Sequence, residues 1–184
     1  APFAYSGVDA VASATPLALL AGGADAVTSA SSAAGGAQLP SLMQMFLGVK
    51  AGCIGEVSAL ALLMGGVYLV ARRVIKPITP LVFIGTVFVF SGVLGADPVY
   101  QILSGGLMLG AIFMATDYAT TPTTNWGKAV FGLGAGLLTV HIRQYGNYPE
   151  GVSFAILLMN ILTPQIDKLL TRKPLGGKKV EKHA

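Results

Sequence analysis

The chain has 184 residues, of which 53% are apolar and only 11% are charged. A typical soluble domain carries about 25% charged residues, so a soluble body built from this sequence would leave much of its surface apolar. The composition therefore excludes a disordered chain, a nucleic-acid-binding module and a disulfide scaffold, and it favours an integral membrane protein in contact with a lipid bilayer.

The net charge of +4 is located almost entirely at the C-terminal end. Basic and acidic residues balance as far as Asn160, and a basic tail follows. Such a tail after an apolar segment is typical of the cytoplasmic face of a membrane, so we predict a cytoplasmic tail over 168–184. Cys53 is the single cysteine, which excludes a disulfide within the chain, and we predict no metal site.

The first segment, 1–41, is rich in small and polar residues, which favours a loop on the membrane surface. The chain begins at Ala1 without a methionine, so we expect its natural beginning to be missing. A short apolar stretch, 42–49, is interrupted by glycines and is too short to cross a bilayer. It predicts a half-helix or re-entrant segment.

Five longer apolar segments follow and predict an all-α bundle of about five transmembrane helices within 42–167. Each has ~16–22 residues, which corresponds to ~24–33 Å of helix and suffices for a ~30 Å hydrocarbon core. The predicted spans are 54–75, 78–96, 98–115, 126–142 and 151–166. Glycine pairs and triplets within them indicate close helix packing, with a flat ligand lying against them as the alternative.

Basic residues predict the orientation of the bundle. Arg72, Arg73 and Lys76 lie between the first two spans, so this connection and the tail should be cytoplasmic. Alternation then places 95–98, 143–150 and the N-terminal segment outside, in a multi-pass membrane protein.

Motifs for hydrolytic catalysis, zinc binding or nucleotide binding are absent from the sequence. A glycine-rich loop between a strand and a helix, which a nicotinamide dinucleotide would require, is also missing. His141 lies near the outer end of the fourth span without a partner at helical spacing, so we interpret it as an interfacial histidine.

Four segments carry a resemblance to a known family: 9–17, 52–58, 113–122 and 148–160. Here the chain resembles the NqrB/RnfD family of ion-pumping, flavin-carrying membrane subunits. The sequence Asp117-Tyr-Ala-Thr-Thr-Pro122 and the compact tail are closer to the RnfD branch, which belongs to the ferredoxin:NAD oxidoreductase (Rnf) complex. The resemblance covers nearly the whole chain as the C-terminal half of such a subunit, and it implies further N-terminal spans. It also implies a location in the plasma membrane of a bacterium or archaeon.

The family attaches FMN through its phosphate to a threonine that ends an Asp-x-x-Ser/Thr-Gly-Ala-Thr pattern. Asp9, Ala14 and Thr15 match this pattern, whereas Ala12 replaces the Ser/Thr and Ser13 replaces the glycine. The resemblance thus implies covalent FMN on Thr15, with Asp9, Ser13 and Ala14 as the flavin-attachment motif. From the residues alone, Thr15 also suits a helix cap before Pro16.

The resemblance further implies that electrons arrive from a neighbouring flavin subunit and leave inward, with noncovalent riboflavin as a second flavin. The chain would then act as one subunit of an ion-translocating oxidoreductase that moves Na⁺ or H⁺, with the nicotinamide site on another subunit. The alternatives are the corresponding subunit of the sodium-pumping NADH:quinone oxidoreductase and a secondary transporter.

Glu56 and Asp117 are candidates for an ion path because each lies at a predicted membrane end within a family-like segment. Carboxylates at such depths are costly to bury and often mark ion or proton routes. Glu56 could equally stabilise a helix N-terminus. Asp117 could equally cap the turn that leads to Pro122 or help to hold a flavin ring.

Overall fold

The computed structural model describes residues 41–48, 55–146 and 150–170. These residues form helices, connected by short turns. The helices are α1 (Leu42–Leu47), α2 (Ala59–Ala71), α3 (Ile78–Val93), α4 (Pro98–Leu103), α5 (Leu107–Leu109) with a π-helical turn (Gly110–Met114), α6 (Asn125–Tyr145) and α7 (Val152–Leu170). The all-helical architecture is consistent with the predicted membrane protein.

Apolar side chains cover the outside of this helical body. Val67 on α2, Leu81 on α3 and Leu169 on α7 are each more than 60% exposed. Within the described residues, α7 is the helix both long and apolar enough to cross a bilayer, and α2 and α3 are shorter apolar helices. Extensive exposed apolar surface is typical of proteins that contact lipid or partner subunits.

The centre of the body is the packing of α3 against α6, which form the most extensive helix pair. A Cβ on Gly132 would lie 2.9 Å from the backbone oxygen of Thr79, and one on Gly136 would lie 2.7 Å from Cβ of Thr86. The two glycines are four residues apart and therefore lie on the same face of α6. The face of α6 that carries Gly132 and Gly136 is therefore closely packed against α3.

Three threonines inside the body donate hydrogen bonds within their own helices. Thr86, Thr139 and Thr163 each donate to the carbonyl oxygen four residues earlier, at 2.7, 2.8 and 3.1 Å. Such bonds satisfy a polar group where water is absent. In α7, Pro164 follows Thr163 inside the helix, and without an N–H it cannot donate to the carbonyl of Asn160.

The third predicted span, 98–115, is not one continuous helix. It is divided into α4, a break at Ser104–Gly106, α5 and the π-helical turn. Gly105 adopts φ 62°, a left-handed conformation that ends α4 and that side-chain-bearing residues rarely adopt. The other predicted spans each contain a helix, although α2 is only 13 residues long where a span of 54–75 was predicted.

Candidate functional site

Two polar sites lie at opposite ends of α6. Lys128 is in its first turn and Arg143 is in its last. Fifteen residues separate them, which corresponds to roughly 22 Å along the helix axis. We call the first site the basic cleft, after Arg73, Lys76 and Lys128, and the second the arginine cluster, comprising Glu56, Gln101, Ser104, Gly106, Arg143 and Glu150.

Arg143 is the centre of the arginine cluster and is only 8% exposed. Its Nη1 donates to the backbone oxygen of Gln101 at 2.6 Å and to the side-chain Oε1 of Gln101 at 3.2 Å. Its Nη2 donates to the backbone oxygen of Ser104 at 3.3 Å. These carbonyls end α4, where oxygens lack helical partners and the helix dipole favours a cation.

Two carboxylates meet beside Gly106 in the same cluster. Glu150 Oε2 accepts from the backbone N–H of Gly106 at 3.2 Å. A Cβ added to Gly106 would lie 2.8 Å from Oε2 of Glu56 and 3.7 Å from Oε2 of Glu150, so both carboxylates are close to this glycine. Both negative charges favour the ionised form of Arg143 and offset part of the cost of burying it. Nε of Arg143 is buried and has no hydrogen-bond partner among the described residues.

Glu56 therefore has a different position from that of a helix cap. Ser58 caps α2, because its side-chain oxygen accepts from the backbone N–H of Ala61 at 3.3 Å. Glu56 precedes the cap by two residues, and its carboxylate lies close to Gly106. Glu56 was singled out from the sequence, which did not predict that the carboxylate of Glu150 would also lie close to Gly106.

The basic cleft has a volume of about 400 Å³. Its walls are the α2–α3 turn with the start of α3, the loop over 115–124 and the start of α6. Lys76 Nζ donates to Asn125 Oδ1 at 2.9 Å, and the hydroxyl of Tyr118 donates to the backbone oxygen of Val74. These bonds join the α2–α3 turn to the loop over 115–124 and to the start of α6. The lining comprises Arg73, Val74, Ile75, Lys76, Thr79, Thr116, Asp117, Tyr118, Thr121, Pro122, Thr123 and Lys128.

Asp117 is the acidic residue of this lining and is exposed. One carboxylate oxygen accepts from Thr120 Oγ1 at 3.3 Å, and its backbone oxygen accepts from the N–H of Thr121 at 3.2 Å. Asp117 therefore bridges the turn that precedes Pro122, as one of the alternatives from the sequence anticipated. The same side chain faces a cleft large enough for a ligand.

Asp167 on α7 connects the loop of the basic cleft to the last helix. It accepts from the backbone N–H of Thr123 at 3.1 Å. The α2–α3 turn, the 115–124 loop and the end of α7 consequently lie at one end of the body, and the arginine cluster lies at the other. The alternation predicted from the sequence requires this grouping of ends.

The predicted flavin-attachment residues, Asp9, Ser13, Ala14 and Thr15, lie outside the described residues. So do Cys53 and most of the basic tail. Among the other residues singled out from the sequence, His141 is exposed and its ring packs against Tyr145, with ring centroids 5.0 Å apart.

Sequence reasoning missed the central role of Arg143. One signal was available: Arg143 is a cation on the predicted outer side, where the positive-inside rule disfavours basic residues near spans. A cation in such a place is commonly paired or buried against polar groups. Gln101 and Glu150 offered no comparable signal, since their proximity to Arg143 depends on the break between α4 and α5.

The chain matches the sequence profile described as the NQR2, RnfD, RnfE family over residues 2–176. This chain belongs to that family. The match extends across both polar sites and the predicted flavin-attachment residues, and it confirms the family resemblance found in the sequence.

Curated relatives are similar over nearly all of the chain. A protein of Acetobacterium woodii, named as a subunit of the Na(+)-translocating ferredoxin:NAD(+) oxidoreductase complex, is 44% identical over 178 residues, covering 96% of this chain and 52% of the relative. A protein of Clostridium ljungdahlii, named as a subunit of the proton-translocating complex, is 44% identical, covering 95% and 54%. An Escherichia coli protein, named as a subunit of the ion-translocating oxidoreductase complex, is 38% identical, covering 94% and 49%. The chain thus spans about half the length of the relatives it matches.

Proposed function

We propose that this chain is part of a flavin-carrying electron-transfer subunit of an ion-translocating ferredoxin:NAD oxidoreductase complex. The observation that carries the proposal is its 44% identity, over at least 95% of its length, to two proteins named as subunits of such complexes. One of these is named as Na⁺-translocating and the other as proton-translocating, so the level of identity favours neither ion.

Thr15 is the residue to which we assign covalent FMN. Its hydroxyl can form a phosphoester, and Asp9 and Ala14 retain the spacing of the family pattern. When bound, the flavin supplies the redox chemistry, and the protein supplies its position and electrostatic surroundings. The proposal has three further parts. Riboflavin is a second, noncovalent flavin, a neighbouring flavin subunit is the electron donor, and the nicotinamide site lies on another subunit.

The two ends of α6 provide places where ion movement could be coupled to electron transfer. The arginine cluster has a formal charge of −1, since Glu56 and Glu150 are opposed by Arg143. Two carboxylates with an overall negative charge can accept a monovalent cation or a proton. At the other end Asp117 is the carboxylate of the basic cleft. We propose Glu56 and Asp117 as the outer and inner acidic residues of an ion path.

Fluorescence after denaturation tests the flavin assignment. The full-length subunit is co-expressed with its flavin transferase, separated on a denaturing gel and illuminated with ultraviolet light. We expect a fluorescent band for the wild type and for Thr28→Val, and a dark band for Thr15→Val. A fluorescent Thr15→Val band would move the attachment away from Thr15.

Reduction of the purified complex tests the reaction itself. The flavin absorbance should bleach with reduced ferredoxin and recover on addition of NAD⁺. Reduction by NADH followed by reoxidation with quinone would instead identify the NADH:quinone branch of the family. A colourless complex with ion transport would point to a secondary transporter.

A further inference from the structure

Three cationic side chains line the basic cleft. Arg73 and Lys76 come from the α2–α3 turn and Lys128 comes from the first turn of α6. Lys76 and Lys128 are close enough for their positive charges to repel each other. Within the described part of the chain, neither Arg73 nor Lys128 forms an ion pair. An arrangement of this kind is stabilised when an anion lies between the charges.

The other polar groups of the cleft narrow the chemistry of that anion. Thr116 and Thr121 already donate their hydroxyl protons to the carbonyl oxygens of Ile112 and Ala115, at 2.7 and 3.2 Å. Lys76 uses one of its three protons on Asn125. Arg73, Lys76 and Lys128 add charged nitrogen donors to the lining. Such a set suits a ligand with several charged oxygens, such as a phosphate ester, better than a neutral sugar or amide.

Arg73 lies in the turn that ends α2. Its backbone has φ 57°, which makes it the side-chain-bearing residue with a left-handed conformation among the described residues. This conformation ends α2: the N–H of Arg73 donates to the carbonyl oxygen of Val70 and the N–H of Val74 donates to that of Leu69, both at 2.9 Å. The turn places Arg73 on the lining of the cleft, next to Lys76.

The surroundings of the cleft favour a lipid over a soluble phosphate. Tyr118 and Trp126 are 78% and 76% exposed at this end, as aromatic residues at a membrane interface are. From the same end α3 begins at Ile78 and exposes Leu81 and Phe88, seven residues apart along the helix. A headgroup in the cleft would therefore have apolar surface nearby for its acyl chains.

We propose that the basic cleft binds the phosphate headgroup of an anionic phospholipid, and that Arg73, Lys76 and Lys128 contact the phosphate. Basic pockets between transmembrane helices on the cytoplasmic side commonly take such headgroups. The volume of about 400 Å³ falls within the ~300–1,000 Å³ of small-molecule sites. The site is separate from the arginine cluster, which lies at the other end of α6.

The test uses the whole complex in nanodiscs of phosphatidylcholine, titrated with fluorescent phosphatidylglycerol. Arg73→Gln and Lys128→Gln should each weaken binding about fivefold, and the double variant about 30-fold, since each charge near a membrane surface contributes about that factor. Arg72→Gln is the matched control, because Arg72 is an adjacent exposed cation outside the lining, and it should bind as the wild type does.

Asp117→Asn provides a gain-of-binding variant that does not depend on removing a cation. Loss of this negative charge should tighten phosphatidylglycerol binding several-fold. Equal binding by the wild type, the double variant and Asp117→Asn would overturn the proposal. Displacement of the lipid by millimolar inorganic phosphate or glycerol 3-phosphate would overturn the lipid assignment and identify a site for a soluble phosphate.

Discussion

The guanidinium of Arg143 donates to both the backbone and the side-chain oxygen of Gln101, a residue 42 positions earlier in the chain. This pair joins the end of α6 to the end of α4 in the broken third segment. Arg143 also provides the positive charge that opposes Glu56 and Glu150. A single side chain thus connects helix packing to the charge of the outer site.

Replacing Arg143 by methionine should destabilise the complex by about 3 kcal/mol. The carbonyls of Gln101 and Ser104 would lose their donors, and two carboxylates would lose the opposing charge. Thermal unfolding of the purified complex in detergent measures the effect. Arg143→Lys should lose less because it retains the charge, and Gln144→Ala, at an exposed neighbouring position, should have no effect. Unchanged stability of Arg143→Met would contradict the assigned contacts.

Replacing Gly136 by valine should separate α3 from α6. Its side chain would meet Cβ of Thr86 at 2.7 Å and the backbone oxygen of Phe83 at 3.1 Å, and overpacking of this kind costs about 1–3 kcal/mol. Gly85→Val on α3 is the matched control, since a Cβ there meets nothing within 4 Å. Both variants are compared by thermal unfolding, and equal behaviour would show that the glycine contact is unimportant.

Glu56→Gln and Asp117→Asn should permit electron transfer while reducing ion uptake. Each substitution removes a charge and preserves the shape of the side chain, so the folded subunit and its flavin should be retained. Ion uptake and ferredoxin-dependent NAD⁺ reduction are measured on the same proteoliposomes. Normal coupled transport in both variants would reject the ion path, and loss of flavin would indicate that the residues hold the cofactor instead.

Cysteine labelling in intact cells should show the basic tail inside. With Cys53 replaced by serine, an impermeant thiol reagent should label Asp97→Cys and leave Lys179→Cys unlabelled. The positive-inside rule gives this direction because Arg72, Arg73 and Lys76 lie at the same end as the start of the tail. The reverse labelling would place the Thr15 segment on the cytoplasmic side.

The length of the apolar segments was sufficient to predict α3, α6 and α7, since uninterrupted apolar segments of this length have few other stable forms in a membrane. The division of 98–115 was not predicted, although Gly105 and Gly106 were noted as packing residues. A glycine pair is compatible with both a packed helix and a break. Which outcome occurs depends on Glu150 and Arg143, which reach this point through tertiary contacts.

The candidate sites show the same division between local and distant information. Glu56 and Asp117 were found from the sequence because an acidic residue at a membrane end is unusual in itself. The basic cleft was not found, because Arg73 and Lys76 served only to indicate orientation. Lys128 lies about 50 residues beyond them, and no local pattern brings the three charges together.

The two long helices differ in how they would transmit movement. The ladder of backbone bonds in α7 is interrupted at Pro164, so a bend between its halves can be absorbed there. By contrast, α6 contains no proline between Lys128 and Arg143. A rotation or translation of α6 would displace Lys128 and Arg143 together, because both lie on this helix. The geometry of the basic cleft and that of the arginine cluster therefore both depend on the position of this one helix.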